Sequence, residues 1–546
     1  MAHQLTRPTL LSDLFDSARL EDGGQAELDS VDPDAVALTD STVELTWSAA
    51  IDRIARLAAL LVEAGVQAGD RVGVRMPKSV DSFVAVHAVL RCGGVMVPLD
   101  PMAPPAQVAG VIEDAEIGVL IADMRARLLA EVVDASQVAT VVLPRAEPET
   151  SLGAGREVVV LCRDALASAA ADAPLVEVPI GDPAYIIYTS GSTGRPKGIV
   201  HTHSSGLAYA RAAVRQYSLT AADRFANIAP LHFDQSTFEL YAAPLVGATV
   251  LAVPDPVIRF PASLSALISK ERITVWYSVP YVLEQLSTRG GIADRDLSLL
   301  RWVLYGGESF PPAQLAALMA HLPDATFSNV YGPAEVNQCT VFDLTDPPTG
   351  QVPIGRAWDE AELRVVDPDD LSSEVDDRPG VLLVSTPTMM SHYWKRPDLT
   401  NASIIEADGR RWYYTGDLVE YVAPGGPLVF LGRVDNQIKL RGHRIELEAI
   451  DALLIEVDDV EVATTVVRRE PNGDDVLIAL VVPESNSDGL STRVLTRLSA
   501  QLPRYAVPAE VQIVSSLPRT GTGKIDRGAS AQLLIQTIAS APAPQT

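Results

Sequence analysis

Three observations predict an α/β protein in which a large domain is followed by a smaller one. Through most of its length the chain alternates short β-branched runs with stretches of helical spacing, the pattern of a mainly parallel sheet covered by helices. Towards the end the order becomes strand, strand, helix, strand, which reads as a small α+β domain. The length agrees, since 546 residues exceed what one hydrophobic core organises, and an apolar content of 47% can fill more than one.

The elements follow in order. Residues 46–65, TWSAAIDRIARLAALLVEAG, place Ile51, Ile54, Ala55, Ala58, Leu61 and Val62 at helical spacing, and Gly65 is set to end the helix. GDRVGVRM (69–76) reads as a strand, SVDSFVAVHAVLRCGG (79–94) as a helix, and VMVPLDP (95–101) as a strand stopped by proline. IGVLIAD (117–123) and TVVLP (140–144) continue the alternation, whereas the polar, Ala-rich stretch 144–181 reads as a loop region. PAYIIY (183–188) is a buried strand, and 199–217 becomes helical. Asp234 stands between Phe233 and Phe238 ahead of an apolar helix, ITVWYSVPYVLEQL (273–286) is a strand into a helix, and LRWVLY is a strand closed by Gly306 and Gly307.

The chain is organised around YTSGSTGRPKG (188–198), where Thr189, Ser190, Ser192 and Thr193 interleave with Gly191, Gly194 and Gly198, and Lys197 stands near the end. Glycines let backbone N–H groups approach an anion, while hydroxyls and an ammonium add donors, so the stretch suits phosphate oxygens. It is not the Walker pattern, because no glycine precedes Lys197 and no Ser or Thr follows it. Other residues read two ways. Asp234 is a helix N-cap or a carboxylate awaiting a cation. The Gly306–Gly307 pair is a tight turn or a place where a flat ring lies on backbone.

NVYGPAE (329–335), YYTGDL (413–418), FLGRVDNQIKLRGHRIELEAI (430–450), LPRYAVPAEV (502–511) and PRTGTGKIDR (518–527) extend the evidence. With the phosphate-type loop they resemble, in order, the motifs of the adenylate-forming superfamily: acyl-CoA synthetases, luciferases and the adenylation domains of nonribosomal peptide synthesis. The N-terminal LTW, GDRVGV and GGVMVPLDP are similar too, so the resemblance covers most of the chain. It implies a large α/β domain over 1–434 with a small β-barrel-like part, a hinge at Asp435, a mobile α+β domain over 435–535, and a disordered tail at 536–546.

The resemblance also implies roles. Thr189, Ser190, Gly191, Ser192, Thr193, Gly194 and Lys197 would wrap the phosphates of ATP. Gly306, Gly307, Glu308, Asn329, Tyr331, Gly332 and Ala334 would border the nucleotide, with Tyr331 as the adenine platform. Asp417 would accept the ribose hydroxyls, Arg433 would reach ribose or phosphate, and Glu335 would hold Mg²⁺. Lys524, in a Gly/Thr loop, would bridge carboxylate and phosphate during adenylation. Asp234 would hold the ammonium of an amino acid in a pocket lined by Gln235, Phe238, Tyr277, Val303, Tyr305, Val330, Gln338, Cys339 and Lys524. The aromatics favour a small amino acid, or alternatively a β-amino acid. Stand-alone relatives such as D-alanine–carrier protein ligases pass the activated acid to a phosphopantetheine thiol. Since nothing after Lys524 resembles a phosphopantetheine site, a separate carrier protein is expected here, with coenzyme A as the other thiol. Arg441, Arg444, Arg504, Arg519 and Arg527 are candidates for a basic docking patch on the small domain.

Two departures stand out. The motif's usual Thr is Ala334, and the pattern GELxxxGxGxxxGYW is here GVLLVSTPTMMSHYW, keeping Gly380, Tyr393 and Trp394. An acyl- or aryl-CoA ligase and a catalytically silent nucleotide-binding protein are the competing readings. Asp234 disfavours the first, and Lys524, Glu335 and Asp417 together disfavour the second.

Composition excludes further classes. A net charge of −27 opposes nucleic acid and anionic membrane surfaces. Cys92, Cys162 and Cys339 are too scattered for a disulfide framework or a cysteine-rich metal site. No signal peptide and no apolar run of roughly 20 residues is evident, so a cytoplasmic location is expected. His201, His203 and His232 lack metal-ligand spacing and receive no chemistry, though His232 is close enough in sequence to Asp234 to line the pocket.

Overall fold

The computed structural model describes residues 9–16, 31–123, 126–145, 152, 157–170, 175–189, 196–435, 437–470, 474–484, 488–519 and 525–540. The chain divides into two compact units. The first comprises 1–101, 111–188 and 198–434; the second starts at Asp435 and takes in the short segments 102–110 and 189–197.

In the first unit, strands Val36–Thr39 and Glu44–Thr46 lead into helix Trp47–Glu63, where the Thr46 hydroxyl accepts the Ala49 amide at 3.2 Å and Gly65 leaves the helix at φ 91°. That cap satisfies one of the orphan N–H groups of the first turn. The face carrying Trp47, Ile51, Ile54, Ala58 and Leu61 is buried, at roughly 1.5–3 kcal/mol for each large side chain. Helix Val80–Arg91 packs against it and is buried on all sides. Parallel strands Arg71–Arg75, Val95–Pro98, Val119–Ala122 and Thr140–Leu143 belong to an eight-stranded sheet that also contains Pro183–Thr189.

A nine-stranded sheet carries the centre of the unit. Its strands Thr249–Ala252, Arg224–Asn227, Val275–Ser278, Trp302–Gly306 and Thr326–Tyr331 run parallel, with Asn227 beside Tyr277, Tyr277 beside Leu304, and Gly306 beside Val330. The part expected to be barrel-like is an antiparallel six-stranded sheet, including Gly380–Ser385, Arg410–Tyr421 and Leu428–Arg433.

Three sequence expectations change. The stretch 144–181 is not simply a loop, because Val159–Cys162 adds a parallel strand beside Thr140–Leu143 and Arg163–Ser168 is a helix with Leu166 buried. A four-residue run at a sheet edge leaves little periodicity to read. Lys197–Thr202 is a strand, and the helix starts only at His203, where Thr202 caps it by accepting the Ser205 amide. The apolar helix after Asp234 is in fact a 3₁₀ turn Asp234–Ser236, a π-helical turn Phe238–Ala242 and a short α-helical piece Ala243–Leu245.

In the second unit, strands Gln437–Leu440 and His443–Glu446 form a hairpin. Its two-residue turn is Arg441 and Gly442, at φ 52° and 82°, the left-handed pair a tight hairpin requires. Arg441, a candidate for the docking patch, is thus a turn residue. Helix Leu447–Ile455 follows, then a three-stranded sheet of Val460–Arg469, Asp475–Pro483 and Glu510–Ile513, and helix Leu490–Gln501. A further helix, Arg527–Ser540, was not foreseen and runs beyond the expected tail boundary at 535. Arg527 pairs with Glu448 at 3.1 Å and with Asp451, which commits it internally. Among the described residues no helix is long and apolar enough to cross a membrane.

Candidate active site

Asp234 follows the carboxyl end of strand Arg224–Asn227, the edge at which parallel α/β sheets bind ligands. It is half-buried and opens the 3₁₀ turn as its first residue, with Phe233 at the N-cap position. Its Oδ1 accepts the Gln235 amide at 3.0 Å, and its carbonyl takes the Thr237 hydroxyl at 2.6 Å. Tyr185, Tyr209 and Tyr277 lie within electrostatic reach of it. Burial raises each phenol's pKa, and the Asp234 charge raises it further in all three. Phe238 packs edge-on against Tyr277 and Tyr217 with centroids 5.6 and 5.9 Å away. Gln338 Nε2 donates to the Tyr217 hydroxyl at 3.0 Å, and Asn337 Nδ2 to the Tyr185 hydroxyl at 3.3 Å. A carboxylate set among aromatic rings with polar groups behind them is suited to a cationic guest.

Not all of the expected lining residues share this side. Tyr277, Leu304 and Val330 belong to the same buried cluster as Phe238. Val303 and Tyr305 pack instead with Trp276, Phe310 and Phe327 on the opposite face of the sheet. The expectation for Val303 and Tyr305 is therefore corrected: side chains alternate along a strand, and a one-residue offset reverses the face. Leu304 is the residue beside Tyr277. Cys339 is buried under Tyr331 in a third cluster, its Sγ 3.5 Å from the Tyr331 carbonyl.

A second group gathers around Tyr331. Its hydroxyl donates to Asp417 Oδ2, while Arg433 Nη1 donates to Oδ1, so both oxygens of the expected ribose acceptor already have partners. Each carboxylate oxygen keeps a second lone pair for a further donor. Asp417 lies in a long strand whose register shifts beside it, with Gly416 at φ 71°. Glu335 is fully buried, its Oε1 accepting the Tyr393 hydroxyl at 2.7 Å. Tyr393 is one of the few residues kept in the otherwise divergent segment 380–394.

Backbone needs explain two of the glycines. A Cβ on Gly306 would meet the Val330 carbonyl at 2.3 Å, and one on Gly332 the Asn337 carbonyl at 2.1 Å. Strand packing alone therefore requires glycine at 306. Gly307 differs: it sits at φ 94°, and a Cβ there would make only an ordinary contact with Val279 at 3.7 Å. The Ala334 carbonyl accepts His201 Nε2 at 2.9 Å, and His201 stacks on Tyr185 at 4.9 Å. Burial lowers the His201 pKa to about 4, so the ring is neutral with its proton on Nε2. The missing hydroxyl at 334 leaves that backbone tie intact.

The remaining expectations are placed as follows. Ser190, Gly191, Ser192, Thr193, Gly194 and Lys524 lie outside the described residues. Thr189 ends a strand, its hydroxyl without a partner among the described residues, and Lys197 begins the next. Gly198 is enforced, since a Cβ there would meet Ile186 at 2.8 Å and Tyr188 at 2.9 Å. Asn329 Nδ2 donates to the Pro353 carbonyl at 2.7 Å, and Glu308 is half-buried. Asp435 Oδ1 accepts the Gln437 amide at 3.2 Å at the start of the hairpin. His232 turns towards Asp100, 3.8 Å away. Sequence reasoning missed Tyr185, Tyr209, Tyr217, His201, Asn337 and Tyr393. Only Tyr209 and Tyr217, two turns apart on one Ala-rich helix, carried a readable signal.

Comparison with known proteins places the chain in a family by sequence and fold. The family of AMP-binding enzymes matches residues 27–394, and the AMP-binding enzyme C-terminal domain matches 449–524. An L-proline–[L-prolyl-carrier protein] ligase of Pseudomonas fluorescens is 35% identical over 505 residues, covering 92% of this chain and 96% of that one. A dimodular nonribosomal peptide synthase of Bacillus subtilis is 32% identical over 94% of this chain, which spans 21% of that protein. Among solved structures, the amide bond synthetase McbA of Marinactinospora thermotolerans shares the fold with a TM-score of 0.82, at 24% identity, covering 96% of this chain and 99% of that one. The matches run through both units. The chain belongs to the AMP-binding enzyme family.

Proposed function

We propose that the protein activates an amino acid with ATP as an aminoacyl-adenylate and transfers it to the phosphopantetheine thiol of a separate carrier protein. The observation that carries this reading is Asp234, half-buried and close enough to the buried Tyr185, Tyr209 and Tyr277 for its charge to act on their phenols, an anchor for an ammonium group. The relative that matches across its whole length is named for ligation of an amino acid to a carrier protein, which supports the same acceptor.

The first half-reaction needs no general base, because the substrate carboxylate is ionised at pH 7. One of its oxygens attacks the α-phosphorus of ATP, and the bond to pyrophosphate breaks. The obstacle is bringing two anions together, and it is met by positioning and by preorganised positive charge. Lys197 and the glycine- and hydroxyl-rich loop would hold the phosphates, and Lys524 would sit between carboxylate and phosphate. Asp417 and Arg433, with Tyr331, would receive the ribose and adenine, the ribose hydroxyls using the second lone pair on each Asp417 oxygen.

For Mg²⁺ the donor set fits. Among the described residues no three His, Cys, Asp or Glu side chains form a cluster that would hold a metal alone. Magnesium takes one or two carboxylates and fills its octahedron with phosphate and water oxygens, so the single Glu335 carboxylate, oriented by Tyr393, is the fitting donor. The ion would neutralise phosphate charge there. In the second half-reaction the unit starting at Asp435 would turn about that residue to admit the thiol, whose sulfur displaces AMP from the acyl carbon.

The deciding experiment is pyrophosphate release across α- and β-amino acids, with carrier protein or coenzyme A as acceptor. Amino-acid-dependent release and acylation of the carrier are expected. Release with simple carboxylic acids alone would replace the reading with a CoA ligase. Lys524→Ala should slow adenylation by at least about 10²-fold.

A further inference from the structure

We propose that Lys78, Asn227 and Glu239 act as a polar clasp whose task is to position the turn that carries Asp234, making them positioning residues for amino-acid recognition. The inference rests on the function proposed above and names a device in that same site.

The turn leaves the sheet at Asn227 and re-enters regular structure in the π-helical turn Phe238–Ala242. Its two ends are joined across the gap. Asn227 Nδ2 donates to Glu239 Oε2 at 3.0 Å and to the Ala229 carbonyl at 3.3 Å. The Lys78 ammonium donates to the Ile228 carbonyl, lies 3.5 Å from that of Asn227, and lies 3.4 Å from Asp255 Oδ1. Lys78 therefore connects the segment after strand Arg71–Arg75 with the ends of Arg224–Asn227 and Thr249–Ala252. The relative exposures of Lys78, Asn227 and Glu239 are 5%, 0% and 1%.

Burial of this kind is hard to account for as a stabilising device. Desolvated ionic groups rarely contribute more than well-packed apolar side chains of similar volume; what they impose is one geometry. Burial drives the Glu239 carboxyl up to about 8 and the Lys78 ammonium down to about 8, the mark of groups held out of water. The wide π turn is what permits the arrangement. It aims Glu239 at Asn227 while Phe238 and Tyr241 point to the aromatic side, where Tyr241 meets Tyr185 at 5.5 Å. Between the clasped ends, the Ser236 hydroxyl donates to the Phe233 carbonyl at 2.8 Å and that of Thr237 to the Asp234 carbonyl at 2.6 Å. Asp234 is thus held by a short span fixed at both ends.

The test compares Lys78→Met, Glu239→Gln and the double variant Lys78→Met/Glu239→Leu with the wild type. Lys78→Met should raise the KM for the amino acid about tenfold or more with the KM for ATP within twofold. Glu239→Gln, which can still accept from Asn227, should stay within about threefold. If Lys78→Met does not fold, the double variant removes both buried ionisable groups and carries the same expectation. A fall in kcat with both KM values unchanged, or an equal rise in both, would overturn the clasp. Amide hydrogen exchange over 229–237 supplies a reading independent of substrate identity: exchange should speed up in Lys78→Met, and unchanged protection also overturns the proposal. Were the wild type to release no pyrophosphate with any amino acid, the proposed function would fall, and the exchange result would still judge the clasp.

Discussion

The two faces of the strand Trp302–Gly306 are both buried, yet they are built differently. One side, through Val303 and Tyr305, meets Trp276, Phe310, Phe327 and aliphatic residues. The other, through Leu304, shares a cluster with Tyr277 and Phe238, and there Asp234, Gln338 and Asn337 stand among the rings. A filled apolar layer removes surface from water and does little else. Polar groups seated among aromatics are costly to bury, so their presence supports the proposal that this face serves a ligand.

Substitutions on the two faces can break or sharpen that contrast. Asp234→Ala should have the largest effect, lowering kcat/KM for the amino acid about 10²-fold through loss of a charge-assisted contact, while the KM for ATP holds. Amino-acid-dependent pyrophosphate exchange reads it, and an unchanged value would strip this face of its assignment. Tyr393→Phe releases Glu335 and should reduce adenylation about tenfold, partly recovered at high magnesium. Without any dependence on magnesium, Tyr393 would be a packing residue only.

His87 provides a control, a buried polar ring in contact with Phe15 and near Tyr241. Burial lowers its pKa to about 3. The native ring stays neutral while the unfolded chain takes up a proton below about 6.5, so stability falls as pH drops from there towards 3. His87→Leu should remove one proton from that dependence, about 1.4 kcal/mol per pH unit at its steepest, with selectivity untouched. Denaturant midpoints between pH 7 and 4 measure it; an unaltered slope would contradict the neutral assignment. The smallest effect belongs to Tyr305→Phe on the apolar face. Its hydroxyl is buried without a partner among the described residues, so removing it should be neutral or stabilise by up to about 1 kcal/mol. A changed amino-acid preference in that variant would place Tyr305 in the pocket after all.

Motifs and periodicity were legible where the chemistry is local. Helix Trp47–Glu63 could be read with its terminating glycine, because the apolar spacing and Gly65 are short-range signals. Asp234 could be picked out because a carboxylate between phenylalanines is an anomaly in one dimension. What escaped depends on which side of a strand a residue faces or on partners far away in sequence. Val303 and Tyr305 were misplaced by one step of a two-residue period, and nothing around LRWVLYGG marks which step is correct. Tyr393 meets Glu335 across 58 residues, and His201 meets Ala334 across 133. The π-helical turn has no sequence signature, so Phe238–Ala242 read as ordinary helix.

The two carboxylates expected near the nucleotide each hold a phenol, Asp417 that of Tyr331 and Glu335 that of Tyr393. This gives the enzyme built-in reporters. A fluorine label on either ring would register, as a resonance shift, the moment another donor or an ion competes for its carboxylate. Ribose arrival and metal arrival could then be timed separately in one molecule, without waiting for product.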